Sequence, residues 1–178
     1  MRNRILLAAF SLTLSSACWA AIASADLKPE KVFLADSKKN ESYVRDGLVT
    51  GGDKAVSDVV VRDIRRAANG RFERLVVDLE GNVGGEPAAI PRPPFYQVSV
   101  TPDQKRVIFT VFGKPRLHID THRIMTAFRK SQAVEKLMLL PALEEDSWSF
   151  VLQLRKETPV EVFELSQPVR VIMDLKLK

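Results

Sequence analysis

Near the end of the chain stands Arg170-Val171-Ile172-Met173-Asp174-Leu175, and near its middle stands Arg106-Val107-Ile108-Phe109-Thr110-Val111. Both are aliphatic-rich runs led by an arginine. A strand sends alternate side chains to opposite faces. Val171, Met173 and Leu175 therefore share one face, the one that suits a core. Arg170, Ile172 and Asp174 take the other. One strand of this kind is ordinary; two near-copies in one chain make a statement about the fold.

The repetition extends outward from these strands. Leu75-Val76-Val77-Asp78-Leu79 corresponds to Phe150-Val151-Leu152-Gln153-Leu154, and Pro94-Phe95-Tyr96-Gln97-Val98 corresponds to Pro159-Val160-Glu161-Val162-Phe163. Ala55-Val56 opens one half and Ala133-Val134 the other. The spacing between copies shrinks along the chain because the first half carries longer loops. Each half reads as a curved sheet of about four strands whose apolar face cannot be buried alone. Placing the two halves face to face predicts an all-β sandwich of two pseudo-symmetric sheets, the product of an internal duplication.

The punctuation agrees. Val59-Val60-Val61 and Leu75-Val76-Val77 flank Asn69-Gly70, a pair suited to the positive φ values of a type I′ hairpin turn. A Gly- and Pro-rich loop covers 81–94. Strands are expected over 96–100 and 106–112, joined by Thr101-Pro102-Asp103-Gln104, and then over 134–140, 148–154, 160–165 and 169–177. A single short connecting helix is expected over 121–130, with Asp120 as N-cap and Ile124, Met125 and Phe128 at helical spacing.

At these residues the chain resembles the AMIN domain family, the envelope-targeting module of N-acetylmuramoyl-L-alanine amidases and type IV pilus secretins. The family's hallmark is an Arg-aliphatic-aliphatic-aliphatic-Asp-Leu strand, often introduced by a Pro. Gln167-Pro168-Val169-Arg170-Val171-Ile172-Met173-Asp174-Leu175 fits it closely, and Arg74-Leu75-Val76-Val77-Asp78-Leu79 is a second match. Thr110 departs from the pattern where Asp174 keeps it. The resemblance covers 55–178. It implies a periplasmic sandwich that binds peptidoglycan without catalysis.

The N-terminus points outside the cytoplasm on its own grounds. Arg2 and Arg4 precede an apolar run over 5–14, and Ala23-Ser24-Ala25 offers a small-x-small cleavage site. This predicts a signal peptide over 1–25, cleaved before Asp26, with no membrane-spanning segment afterwards. Two alternatives exist. An uncleaved anchor needs about 20 clearly apolar residues, and Ser11, Thr13, Ser15, Ser16 and Ser24 dilute this stretch. Lipidation of Cys18 usually follows a Leu three positions earlier, where this chain has Ser15. Residues 26–54 are polar and read as a flexible spacer, leaving 55–178 as the domain.

Composition narrows the function classes. Cys18 is the one cysteine, so the exported portion has neither disulfides nor a thiol nucleophile. The formal charge of +5 falls by two when Arg2 and Arg4 leave, a mild excess that does not argue for nucleic acid. No Gly-x-Ser-x-Gly elbow is present, and the glycines over 81–85 lead into prolines rather than a helix, so they are no phosphate cradle. His118, Asp120 and His122 have the residue types of a zinc site, yet Asp120 is better used as the helix cap. No enzyme activity, cofactor or metal is expected.

The candidate binding residues are Arg74, Asp78, Arg170 and Asp174 on the face opposite the core, with Arg65 and Arg66 of the first hairpin. Arg170 and Asp174 lie roughly 13 Å apart along one strand, too far to pair with each other. They suit an extended anionic polymer such as peptidoglycan; the alternative is cross-strand ion pairing on a wet sheet face. A two-residue loop at Asn69-Gly70 would set Arg74 opposite Arg65, an unfavourable match unless a bulge shifts the register. Trp148 and Tyr96 are candidate sugar platforms, although Trp148 shares its face with Phe150, Leu152 and Leu154. Two rival roles remain: an interaction subunit of an envelope machine such as a type IV pilus or secretion system, joined by strand addition, and a hydrolase built on His118, Asp120 and His122.

Overall fold

A computed structural model describes residue 39 and residues 41–177. The expected signal peptide, its cleavage site and Cys18 lie outside the described residues. The elements in chain order are β1 (Gly47–Gly51), β2 (Val59–Ala68), β3 (Phe72–Val83), β4 (Glu86–Ala88), β5 (Tyr96–Thr101) and β6 (Arg106–Phe112). There follow β7 (Arg116–Leu117), α1 (Thr121–Phe128), β8 (Val134–Leu139), β9 (Ser147–Leu154), β10 (Val160–Ser166) and β11 (Val169–Lys176). The protein is an all-β sandwich with a single short helix among the described residues.

Sheet I runs β1-β5-β6-β9-β8, and sheet II runs β10-β11-β3-β2-β7 with β4 added beside β3. Alternation fills the space between them: Leu75, Val77, Val98, Phe109, Phe150 and Met173 all point inward and are fully buried. Phe109 stacks on Phe150 with ring centroids 5.1 Å apart.

The duplication is visible, but its halves are not arranged as expected. β2, β3, β5 and β6 correspond to β8, β9, β10 and β11, and exchanging each strand for its counterpart converts the order β5-β6-β9-β8 into β10-β11-β3-β2. Each half gives one hairpin to each sheet instead of forming a sheet of its own. Even the bulges match, between Val61 and Asp63 on β2 and between Val134 and Lys136 on β8. The reason lies in the charges. Across the β3–β11 join, Arg74 faces Asp174 and Asp78 faces Arg170. Across β6–β9, Thr110 faces Ser149 and Arg106 faces Gln153. Had each half kept its own strands together in the same register, Arg74 would face Thr110 and Asp174 would face Ser149, leaving two ions without complements.

The first hairpin also differs from expectation. Asn69 N–H donates to the Phe72 carbonyl at 3.1 Å, so the two-residue loop is Gly70-Arg71, one position later than Asn69-Gly70. Gly70, at φ +84°, leads the loop as a type II′ turn requires. Asn69 Oδ1 accepts from the Arg71 and Phe72 amides. The shift places Arg65 opposite Val76 and Arg66 opposite Leu75, which removes the clash of like charges.

The stretch expected to be spacer is partly built into the domain. Val44 exchanges two 2.8 Å backbone bonds with Val160 at the β10 edge, and β1 then pairs with β5 from Gly47↔Val100 to Gly51↔Tyr96. An exposed strand edge is a row of unsatisfied amides and carbonyls. One polar segment satisfies both sheets on this side, which is why it needs no hydrophobic periodicity. α1 closes the other side, capped by Asp120 Oδ1 accepting from Arg123 N at 2.9 Å.

Candidate functional site

The outer face of sheet II gathers five of the six residues singled out from the sequence. Arg74 donates through Nε and Nη2 to the two carboxylate oxygens of Asp174, each at 2.7 Å. Lys39 Nζ lies 2.7 Å from the same carboxylate and 3.4 Å from Glu161. At the other end Asp78 accepts two 2.6 Å bonds from Arg65 and one of 2.9 Å from Arg170 Nε. The two Arg-x-x-x-Asp strands run antiparallel, so each arginine meets the other strand's aspartate. This is the cross-strand pairing alternative, with one amendment: the Arg74–Asp174 end is not wet. Both residues are fully buried, and Val76 and Ile172 between the two ends are only 1% exposed. The Arg74 guanidinium is also flanked by the Phe72 and Phe163 rings, at 4.8 and 5.3 Å from their centroids.

Arg66 is elsewhere. Its strand parity puts it on the inner face, where Nε bonds Glu73 at 2.6 Å and Nη2 reaches the Lys130 carbonyl. Glu73 itself is fully buried and accepts from Ser131 Oγ and from the Gln132 and Ala133 amides. It is a clamp on the turn from α1 into β8. The sequence does carry a signal for it, an acid at the same parity as Leu75, Val77 and Leu79. Lys39 had none, sitting in an aperiodic polar stretch. Burial lowers the Lys39 pKa, but the hydrogen bond and charge of Asp174 outweigh it, so the ammonium is held above its ordinary value.

The equivalent face of sheet I is different in kind. Thr110 and Ser149 share a 2.8 Å hydroxyl bond where sheet II has Arg74–Asp174. Arg106 donates to Gln153 at 3.1 Å where sheet II has Arg170–Asp78. Ile108 and Val151 are half-buried where Ile172 and Val76 are sealed. The outward positions of β1, β5, β6, β8 and β9 include Thr50, Gln97, Ser99, Thr101, Thr110, Ser149 and Gln153, with Arg106 and Lys136 beside them and one acid, the exposed Glu135 at the β8 bulge.

The other candidates resolve simply. Trp148 is 2% exposed and donates Nε1–H to the Leu140 carbonyl at 2.9 Å. Tyr96 is equally buried; its hydroxyl donates to Glu164 at 3.2 Å, and burial together with the Glu164 charge raises its pKa. Both are core residues rather than platforms. His118 Nδ1 faces Arg62 Nη1 and Asp120 caps α1. Among the described residues, no group of three or more His, Cys, Asp or Glu is placed to hold a metal ion, and no helix is long and apolar enough to cross a membrane. No protein-family model matches the chain, and no curated protein is significantly similar to it.

Proposed function

We propose that this chain is a non-catalytic, AMIN-like periplasmic module that binds peptidoglycan, and that the contact surface is the outer face of sheet I. The observation that carries this reading is the contrast between the two outer faces. On sheet II the candidate arginines and aspartates bond each other, so a ligand would have to break charge-assisted bonds to recruit them. Sheet I presents hydroxyl and amide groups on adjacent strands about 4.8 Å apart, beside the half-exposed aliphatic chains of Ile108, Val151 and Met138. Such a surface suits sugar hydroxyls, N-acetyl groups and apolar ring faces together. Its charged groups are Arg106 and Lys136 against Glu135 at the β8 bulge, so the face carries no net negative charge to repel the carboxylates of a wall polymer.

Sedimentation with purified sacculi tests the reading. Thr110→Glu and Ser149→Glu are expected to reduce retention at least tenfold, while Arg170→Ala leaves it unchanged. Wild-type retention equal to that of the glutamate variants overturns the assignment. A second reading rests on β1, whose outer edge pairs with no strand among the described residues and whose Leu48 is 56% exposed. It is a protein-interaction subunit of an envelope machine, such as a pilus or secretion system, engaged by strand addition. Leu48→Asp would then abolish partner capture and leave sacculus retention intact.

A further inference from the structure

Four cations gather at the end of sheet II where β11 finishes. Arg45, Arg71, Lys156 and Lys176 are all exposed, and among the described residues none of them forms an ion pair. Four backbone bonds hold their segments together. Leu177 N–H donates to the Arg71 carbonyl at 2.8 Å, Lys176 N–H donates to the Pro159 carbonyl at 3.0 Å, and Val44 is bound to Val160. The result is two adjoining cavities with Lys176 on the wall between them. One, of about 460 Å³, is lined by Lys39, Tyr43, Arg71 and Phe72; the other, of about 250 Å³, by Arg45 and Lys156.

The surrounding acids do not cancel this charge. Asp174 and Glu161 are already engaged by Lys39. Among the described residues, Glu41 and Glu157 line the rims, two carboxylates against four cations without an ion pair. An aromatic ring holds one of the four in place: the Lys176 ammonium lies 4.9 Å from the Tyr43 centroid, beside the already paired Lys39, whose ammonium lies 3.8 Å from Phe72. A cation over a ring face is attracted by the ring quadrupole without being neutralised, so it still seeks an anion.

We propose that this is a binding site for phosphate groups carried on an envelope component, separate from the glycan face of sheet I. Phosphate fits better than carboxylate for a geometric reason. The donors arrive from the β2–β3 loop on one cavity, from the segment before β1 and the β9–β10 loop on the other, and from the end of β11 on the wall they share, so each cavity is approached from more than one side. A carboxylate offers two oxygens in one plane, whereas a phosphate offers oxygens in a tetrahedron that donors can approach from several sides. The paired cavities around Lys176 further suit a ligand carrying more than one phosphate.

Calorimetric titration of the full chain with inorganic pyrophosphate tests the site, with succinate at matched ionic strength as the carboxylate comparison. Pyrophosphate is expected to bind at least tenfold more tightly than succinate. Arg71→Gln and Lys176→Gln are each expected to weaken it at least tenfold with unchanged melting temperature and unchanged sacculus retention. Equal binding of the two anions, or full pyrophosphate binding by the Arg71→Gln/Lys176→Gln double variant, overturns the proposal. Vesicles of phosphatidylglycerol in phosphatidylcholine identify the source. Sedimentation competed by pyrophosphate and lost in the double variant assigns the phosphate to lipid headgroups; absence of sedimentation, with pyrophosphate still bound, assigns it to a soluble phosphorylated polymer. Sedimentation that survives in the double variant refutes the site.

Discussion

Replacing Asp174 with Asn removes one charge from a sealed cluster and leaves its shape almost intact. Arg74 would keep its place between Phe72 and Phe163 but lose the carboxylate that receives both of its 2.7 Å bonds, and Lys39 would lose its nearest acid. Breaking one partner of a buried pair costs about 3–5 kcal/mol, because the remaining charge stays desolvated. With a urea m-value of about 2 kcal/mol per M, the midpoint should fall by about 2 M. Asp78→Asn supplies the comparison. Its carboxylate also receives arginines, but the groups are 14–18% exposed, and solvent screening reduces the expected loss to about 1 kcal/mol. A third variant separates charge from packing. The duplicated position in sheet I is occupied by the neutral pair Thr110–Ser149, so the fold accepts an uncharged solution there. Arg74→Met combined with Asp174→Leu should therefore recover most of the loss, giving a coupling energy of about 2 kcal/mol or more in a double-mutant cycle. Equal midpoints for Asp174→Asn and Asp78→Asn, or strict additivity in the cycle, would refute the claim that burial sets the difference.

Other expectations follow from the same contacts. Glu73→Gln should cost about 2–3 kcal/mol through its charge-assisted bonds and speed hydrogen exchange at the Gln132 and Ala133 amides before the rest of the core; uniform exchange across the core would argue against the clamp. Tyr96 titrates later in the folded chain than in the unfolded one, whose value is near 10.0. The folded state then holds the extra proton, so this stabilisation is complete below about pH 10 and is lost as pH rises toward the folded value. Urea midpoints between pH 8 and 11 should fall for the native chain and fall less steeply for Tyr96→Phe; parallel slopes would contradict the assignment.

The strands were legible because period-two alternation marks each inward face, and the helix because Asp120, Ile124 and Phe128 combine a cap with helical spacing. The face carrying Arg74, Asp78, Arg170 and Asp174 was legible from parity alone. What parity does not reveal is whether an outward face meets water. Val76 and Ile172 look like solvent-side residues in sequence, yet they are sealed by neighbours on other strands. Partner choice was hidden for a related reason: β3 and β9 both carry suitable apolar runs, and only the match of Arg74 with Asp174 across the chain decides which edge each takes. The hairpin slipped by two pairings because Gly70 serves equally well as the second residue of one turn type or the first of another. β1 left no trace because an edge segment that supplies backbone groups needs no pattern of side chains.

The exchange of hairpins between the halves bears on how such a molecule comes to exist. A single half, as a separate chain, holds two hairpins in different sheets, each needing a neighbour that the half does not contain. A second identical copy would supply both through a two-fold axis, as symmetric dimers do. Joining the copies into one chain turns an association that depends on concentration into an intramolecular one. It also frees the copies to diverge, so that one face seals an ion pair where its twin carries the hydroxyls of Thr110 and Ser149.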